Sequence, residues 1–508
     1  MFDPDSPGLT VGVIGAGTMG RGIAQVCAVA GYAVMMHDSF PDVAQEGFEF
    51  IQKILARSVE KGRISGDAAD EAVARISIVD RLEDMAGCGL VIEAAAEIPD
   101  VKKDLFRALD EIVSEDAVLA TNTSSLSVTE IAAATRLPER VVGLHFFNPP
   151  PLMALVELIY SIKNELQLID NIEKFVEKIG KIPIRIKDSP GFVVNHVGRA
   201  LATEAFAILS EGVAEPVDID RILRDSAGFK MGPFELLDLT GLDISHPVTE
   251  QIFAQFYNDP FYRPSEIAEA RVAGGVTGRK SRAGFYEYQD GKAVVPSEAA
   301  PPEVKDVDIW LDPNAPDHLG KVLSDAGANL IEAFDPPATA VCVVTPIGCD
   351  ATTAAVELNL DPKRTVAVDT FIGSDTRWTV MTTPLTDPSA RDAVWALLAS
   401  DGAPVTLISD SAGFVTQRVI AMVVNLGCQV AAKGIAAPED IDTAVKLGLN
   451  YPLGPLEWGD QVGPEVVLDI LDDMFDFTHD PRYRASPWLR RRVLLGVSLL
   501  TPNSLPKS

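Results

Sequence analysis

The chain has 508 residues, 47% of them hydrophobic and 23% charged, with a formal net charge of −30. That length exceeds one core, and a typical domain of about 150 residues predicts three or four domains. The negative balance argues against nucleic acid or anionic membrane as a partner, and it requires any anionic ligand to be held by local donors.

Residues 10–14 read as a short apolar strand that runs into Gly15-Ala-Gly17-Thr18-Met19-Gly20 and then an apolar-periodic helix over 21–30. A lone GxGxxG is weak, but between a strand and a helix it is the dinucleotide fingerprint. Gly15 allows the tight turn, Gly17 lets backbone approach a pyrophosphate, and Gly20 permits close helix–strand packing. The helix N-terminus then faces the phosphates. A second strand over 32–38 ends at Asp38, 18 residues past Gly20. A carboxylate there binds the ribose 2′-hydroxyl and repels a 2′-phosphate, which favours NAD over NADP.

A long helix ends in a basic cluster at Arg57, Lys61 and Arg63. Its plain reading is a solvated terminus with cations at the dipole's negative end. The second reading is a contact to a polyanionic substrate. A buried-type strand over 90–96 ends at Glu97, with Lys102 five residues on. Another, over 118–121, ends in Asn122, Thr123, Ser124 and Ser125. Ligands of open α/β sheets lie beyond the carboxyl ends of strands, where both clusters fall, although Ser and Asn there are also ordinary helix caps.

The stretch 141–157 predicts two strands around a proline-stopped turn, with His145 leaving the first and Glu157 inside the second. Prolines 149, 150 and 151 end ladder pairing. A His and a carboxylate on adjacent strands form an oriented general base. A helix and a strand over 182–187 close the domain, and the composition then turns helical from Asp188-Ser-Pro-Gly-Phe192 onward.

An internal repeat follows. Asp188-Ser-Pro-Gly-Phe192 recurs at 410–414, Asp218-Ile-Asp220 at 440–442, and Gly232-Pro-Phe-Glu235 at 454–457, all at an offset of 222. The helical region is therefore duplicated. Residues 307–409 have α/β character but no GxGxxG; lining Arg140 up with Arg364 puts Asp369 at the His145 position and Met381 at the Glu157 position, and Gln417 replaces Asn195. The fold expected is a Rossmann-type α/β dinucleotide-binding domain (1–187), an all-α domain (188–288), a linker (289–306), a degenerate Rossmann-like domain (307–409) and a second helical domain (410–508).

The five cysteines (27, 88, 342, 349, 428) lack metal-ligand spacing and read as reduced core residues, so no metal is expected. No apolar run reads as a membrane span, and residues 1–7 show no secretory leader, which predicts a cytoplasmic protein.

Taken together, the Gly15 loop, Asn122-Thr-Ser-Ser-Leu126, His145-Phe-Phe-Asn-Pro149, Leu155-Val-Glu157, Ser189-Pro-Gly-Phe-Val-Val-Asn195 and Met231-Gly-Pro-Phe-Glu-Leu-Leu-Asp238 resemble the L-3-hydroxyacyl-CoA dehydrogenase family. The double length with a decayed second half resembles bacterial members associated with phenylacetate catabolism, which implies 3-hydroxyadipyl-CoA as a substrate. The resemblance implies NAD-dependent oxidation of a (3S)-3-hydroxyacyl-CoA, with His145 as base, Glu157 as its partner, and Ser124 and Asn195 around the substrate's 3-oxygen. It places Glu97, Lys102 and Asn122 on the cofactor side and gives Asn148 the support of the His loop. Ile98-Pro99 and Ala154 depart from the family pattern, where a polar residue and a Lys are common. Two alternatives remain open: a dehydrogenase of a free 3-hydroxy or sugar acid, and a non-catalytic NAD-binding protein, the latter preferred for the second half. Short members pair through their helical domains, so the two helical copies are expected to form an intramolecular pseudo-dimer; a homodimer of whole chains also stays open.

Overall fold

The computed structural model of the chain describes residues 2–303, 306–374 and 376–504. By compactness they fall into two units: residues 1–196 with 433–449, and residues 197–432 with 450–508.

In the first unit eight strands form one sheet: β1 (Thr10–Ile14), β2 (Ala33–His37), β3 (Ile76–Ile78), β4 (Leu90–Glu93), β5 (Val118–Thr121), β6 (Val141–Phe146), β7 (Leu155–Tyr160) and β8 (Ile182–Lys187). Their order is β3-β2-β1-β4-β5-β6-β7-β8, parallel throughout except for β6 against β7. The central strands are continuous apolar runs because helices cover both faces; every residue of β4, β5 and β6 is buried. The chain reverses strand order beside β1, and the crevice there opens at the carboxyl edge where a dinucleotide binds.

Gly20 lies in the first turn of its helix so close to Gly15 that an added Cβ would stand 1.6 Å from the Gly15 carbonyl oxygen. Gly15 itself has φ +91°, a left-handed conformation that glycine adopts at no steric cost. At Gly17 an added Cβ would meet nothing within 4 Å, so backbone there faces open space.

The compact unit extends past residue 187. It runs through the first turn of the helix Val194–Ser210, where the Val193 and Val194 N–H groups bond to Glu157 on β7, and it includes the helix Pro438–Leu449. That downstream helix lies on β7 and β8. An added Cβ at Gly448 would come within 2.8 Å of the Val194 side chain, and Lys187 N–H donates to the Ile435 carbonyl.

The second unit holds the remaining helices and a six-stranded sheet. The segment expected to be a linker carries a hairpin, β9 (Tyr288–Gln289) and β10 (Lys292–Ala293), and Glu298 within it pairs with Arg377 at 2.6 Å. Val304 and Lys305 of that segment lie outside the described residues. The sheet contains β11 (Asp308–Leu311), β12 (Asn329–Leu330), β13 (Val341–Val344), β14 (Thr365–Val368), β15 (Trp378–Thr382) and β16 (Val405–Ile408), in the order β12-β11-β13-β14-β15-β16. It repeats the antiparallel β6/β7 step as β14/β15 and the parallel β7/β8 step as β15/β16, but β11 sits directly beside β13 with no strand in the place of β4.

Two sequence expectations change here. Met381 stands opposite Ala367, and the Asp369 N–H donates to the Thr379 carbonyl, so Met381 is not the partner of Asp369. The helix Val415–Ala432 is long and apolar enough to cross a membrane, contrary to the expectation of no such run, yet 89% of it is buried inside the fold. Its apolar character serves the core that it forms with the helices Pro455–Val462, Pro464–Thr478 and Pro487–Leu495.

Candidate active site

The antiparallel register of β6 and β7 sets His145 directly opposite Glu157. Directly opposed residues project to the same face with Cβ atoms about 4.5–5.5 Å apart, close enough for an imidazole to meet a carboxylate. The His145 Nδ1 lies 2.6 Å from Glu157 Oε2. His145 is thus inside its strand and not beyond its end. Glu157 is fully buried, and its second oxygen accepts the backbone N–H groups of Val193 and Val194, each at 3.0 Å. Those donors belong to the entry of the helix that carries Asn195, an orphaned N–H set that a carboxylate satisfies well. One side chain therefore orients the imidazole and anchors the helix.

The rings of Phe147 and Phe192 flank the imidazole at 4.5 and 5.8 Å between centroids. Phe192 has φ +51°, unusual for a bulky residue, and this turn presents the N–H groups of 193 and 194 to Glu157. Because Glu157 accepts the protein's own donors on one oxygen, the other is committed to Nδ1, which leaves Nε2 as the nitrogen free to act.

The Pro149–Pro151 turn packs on the helix that follows the glycine loop: an added Cβ at Gly22 would meet the Pro150 ring at 2.7 Å. Asn122 at the end of β5 accepts the Phe146 N–H at 2.8 Å, so Asn122 braces the end of the His strand, whereas Asn148, expected in that role, is exposed. Asn195 donates to the Ser124 carbonyl at 3.1 Å. His145, Glu157, Ser124 and Asn195 all fall in the first compact unit, Asn195 at the entry of the helix Val194–Ser210.

Glu97 organises the loop after β5. One of its oxygens accepts from Thr123 Oγ1 at 2.5 Å, the Ser124 N–H at 2.9 Å and Ser125 Oγ at 3.2 Å. Burial would raise its carboxyl, but Lys102 and the bonds from Thr123 and Ser124 outweigh that and hold it below the usual carboxylate range. Lys102 is 1% exposed, and its ammonium lies 2.6 Å from Glu93 and 3.2 Å from Glu97. It orients Glu97 and does not face open space in this conformation. Glu93 also accepts Thr121 Oγ1 at 2.7 Å. Glu93 was not singled out in the sequence; its only signal there is a carboxylate at the end of an apolar strand.

Asp38 holds the Ala16 N–H at 2.8 Å and the Phe40 N–H at 3.0 Å, which fixes its carboxylate beside the glycine loop. Thr18 and Met19 open the helix that starts there. Arg57 and Lys61 are exposed at the far end of the helix Pro41–Glu60. Their neighbour Arg63, also exposed, lines a cavity of about 410 Å³ together with Ser58, Lys178 and Lys181. Burial holds the Lys181 ammonium below its ordinary range, and carbonyls of Pro150 and Met153 accept from it at 2.7 and 2.8 Å. No metal-ligand cluster occurs among the described residues.

The second sheet has a different arrangement. Asp369 is buried and bonded by Thr416 Oγ1 and by Gln417 Nε2 at 3.1 Å, and burial raises its carboxyl. Gln417 also donates to the Pro346 carbonyl at 3.2 Å. Asn195–Ser124 and Gln417–Pro346 are related by 222 residues at both ends.

The family model "3-hydroxyacyl-CoA dehydrogenase, NAD binding domain" matches residues 10–189. Its companion, "3-hydroxyacyl-CoA dehydrogenase, C-terminal domain", matches twice, at 191–288 and 413–498. The chain is 36% identical over 487 residues to the 3-hydroxyadipyl-CoA dehydrogenase of Escherichia coli (strain K12), covering 96% of this chain and 98% of that one. It is 41% identical over 277 residues to a probable 3-hydroxybutyryl-CoA dehydrogenase of Deinococcus radiodurans, which covers 54% of this chain and 99% of the relative. Among solved structures it is similar to a 3-hydroxybutyryl-CoA dehydrogenase from Escherichia coli K12, with a TM-score of 0.83 at 34% identity over 96% of this chain and 99% of that one.

Proposed function

The chain belongs to the 3-hydroxyacyl-CoA dehydrogenase family, and on that premise we propose that it oxidises a (3S)-3-hydroxyacyl-CoA reversibly to the 3-ketoacyl-CoA with NAD, using His145 as general base. The observation that carries the assignment is the 2.6 Å contact between His145 Nδ1 and the buried Glu157. The loop fits NAD: Gly17 leaves space where a Cβ would otherwise stand, and Asp38 is fixed beside it to take ribose hydroxyls and to refuse a 2′-phosphate. NAD, when bound, supplies the hydride acceptor.

The protein's own part is the proton. His145 takes it from the 3-hydroxyl at Nε2, and Glu157 stabilises the imidazolium that results. Ser124 and Asn195 donate to the substrate's 3-oxygen, which matters most in the reductive direction as charge develops there. Asn122 sits on the nicotinamide side, Glu97 sets the Ser124 loop, and Lys102 acts through Glu97.

Arg63 beside the 410 Å³ cavity supports a CoA thioester over a free hydroxy acid, because it supplies a local cation in a chain of net charge −30, whereas Lys178 is paired with Asp5 and Lys181 with the Pro150 and Met153 carbonyls. The name of the Escherichia coli relative supports a dicarboxylyl substrate such as 3-hydroxyadipyl-CoA. The second half serves a structural purpose in this reading: the offset of 222, the absence of a glycine loop and the Asp369–Gln417 bond support a copy that has lost its chemistry. The helical copies act as a pseudo-dimer, a reading supported by two exchanged ion pairs, Arg263 to Asp480 at 3.3 Å and Arg484 to Asp259 at 3.0 Å.

His145→Gln should leave NAD binding intact and abolish NADH formation from (S)-3-hydroxybutyryl-CoA; turnover near wild type would remove His145 as base. Comparing 3-hydroxyadipyl-CoA, 3-hydroxybutyryl-CoA and free 3-hydroxybutyrate with the wild type separates the substrate readings.

A further inference from the structure

Within the second unit, the helix Val194–Ser210 of the first half meets the second half through a buried ionic cluster that has no counterpart in the repeat. Arg418 is 1% exposed; its Nε donates to Glu204 at 2.8 Å and its Nη2 donates to Glu211 at 3.0 Å. Arg482 reaches the other oxygen of Glu204 at 2.9 Å, and the Tyr483 hydroxyl donates to Glu204 at 3.2 Å. Glu204 is wholly buried. Two carboxylates come from the first half and two guanidinium groups from the second. Burial would push the Arg418 guanidinium down, yet Tyr483, Glu204 and Glu211 together carry it above its ordinary range.

The exchanged ion pairs Arg263–Asp480 and Arg484–Asp259 relate positions 221 apart in both directions, so this unit has a local two-fold relation. The repeat then says what stands at the mirror positions. Leu426 takes the place of Glu204, Lys433 that of Glu211, and His196 that of Arg418, each at an offset of 222, while Phe261 takes the place of Arg482 at 221. All the acidic members lie in the first half, and all the guanidinium groups lie in the second.

We infer that this seam is a charge code by which each helical half selects the other half of the chain and refuses a second copy of itself. The inference rests on the pseudo-dimer reading above. Two second halves placed together would set Arg418 and Arg482 against Leu426 and Lys433, three cations without a carboxylate. Two first halves would set Glu204 and Glu211 against a single imidazole and Phe261. A buried ion pair is weak evidence for stability, but a buried charge deprived of its partner is strongly unfavourable, so such a cluster discriminates between partners more than it stabilises either. The partner this surface fits is the complementary half, and the duplicated chain is thereby kept from exchanging halves with its neighbours.

The test uses full-length chains and a short bismaleimide crosslinker, with cysteines placed at the exchanged ion pair. A chain carrying both Arg263→Cys and Asp480→Cys should crosslink internally; if it does not, the pseudo-dimer reading itself fails. Two differently tagged chains, one with Arg263→Cys and the other with Asp480→Cys, are then co-expressed. With the native seam, intermolecular crosslinking should stay near background. With Glu204→Leu, Arg418→Met and Arg482→Leu in both chains, it should rise at least tenfold, while NADH formation reports that the fold is retained. Internal crosslinking together with equal intermolecular yields for the two seams would overturn the charge code alone. Should the apolar seam fail to fold, a Glu204→Arg chain co-expressed with an Arg418→Glu, Arg482→Glu chain replaces it. These two should crosslink with each other, and failure to do so in soluble protein overturns the inference.

Discussion

Glu157→Gln is the sharpest perturbation of the site, because the two oxygens of Glu157 do different work. Oε2 lies 2.6 Å from His145 Nδ1, and Oε1 takes two backbone donors at 3.0 Å. A glutamine keeps one acceptor. The N–H groups of Val193 and Val194 claim it, so the amide NH2 turns to His145 and donates. Nδ1 must then be bare, and the proton sits on Nε2, the nitrogen that the reaction needs free. The imidazolium also loses its counter-ion. Removing one partner of a buried pair costs about 3–5 kcal/mol; at about 1.36 kcal/mol per decade, kcat should fall about 200- to 5,000-fold. The assay is NADH formation at saturating (S)-3-hydroxybutyryl-CoA, with NAD affinity and Tm measured alongside. In a His145→Gln background the same change should cost less than about threefold, since the route through the imidazole is already gone. A Glu157→Gln enzyme within threefold of wild type, or one losing the same factor in both backgrounds, would refute the pairing.

Three further outcomes follow from particular contacts. Gly17→Ala should fold normally, since its Cβ meets nothing within 4 Å, but should weaken NAD binding at least tenfold, whereas Gly20→Ala should lower Tm because its Cβ would stand 1.6 Å from the Gly15 carbonyl; equal effects on Tm would contradict the loop's geometry. Arg63→Ala should raise KM for a CoA thioester several-fold and leave KM for the N-acetylcysteamine thioester unchanged, and a uniform rise would deny the cavity a role in holding CoA. His196 is wholly buried, and burial together with Lys433 pushes its imidazole down to about 3. The folded chain therefore refuses a proton that the unfolded chain accepts below about pH 6.5, so this stability is complete above 6.5 and is lost as pH falls toward 3, about 2 kcal/mol of it by pH 5. His196→Gln should show a smaller drop between pH 7 and pH 5 in urea titrations; equal drops would remove His196 as the cause.

The parts of the site legible in the sequence are those fixed by local geometry. A strand, a glycine loop and a helix can be read within 20 residues, and two strands around a proline turn bring His145 to Glu157 with few alternatives. What the sequence hid was set by partners far along the chain. Lys102 is a plausible cofactor contact by position, but Glu93 and Glu97 enclose it. Asn122 and not Asn148 braces the His strand because β5 ends beside β6, which spacing alone does not reveal. Lining up Arg140 with Arg364 sets Asp369 just past β14, but the return from Asp369 to Thr379 spans ten residues against twelve from His145 to Glu157, and that shortening moves Met381 off the position. The helix Val415–Ala432 passes the length and composition test for a membrane span that the sequence expectation denied to any run, and tertiary burial, not composition, decides its place.

The helix Pro438–Leu449 lies on β7 and β8 and touches Val194, whose N–H holds Glu157. It is synthesised roughly 280 residues after β7, and at about 5–20 residues per second the ribosome delivers it roughly a quarter of a minute to a minute later. Through that interval the emerging nucleotide-binding layer has an uncovered apolar flank, a state that chaperones recognise. The last seventh of the chain cannot then be shed as a relic, because the nucleotide-binding half waits for a piece of it to finish folding.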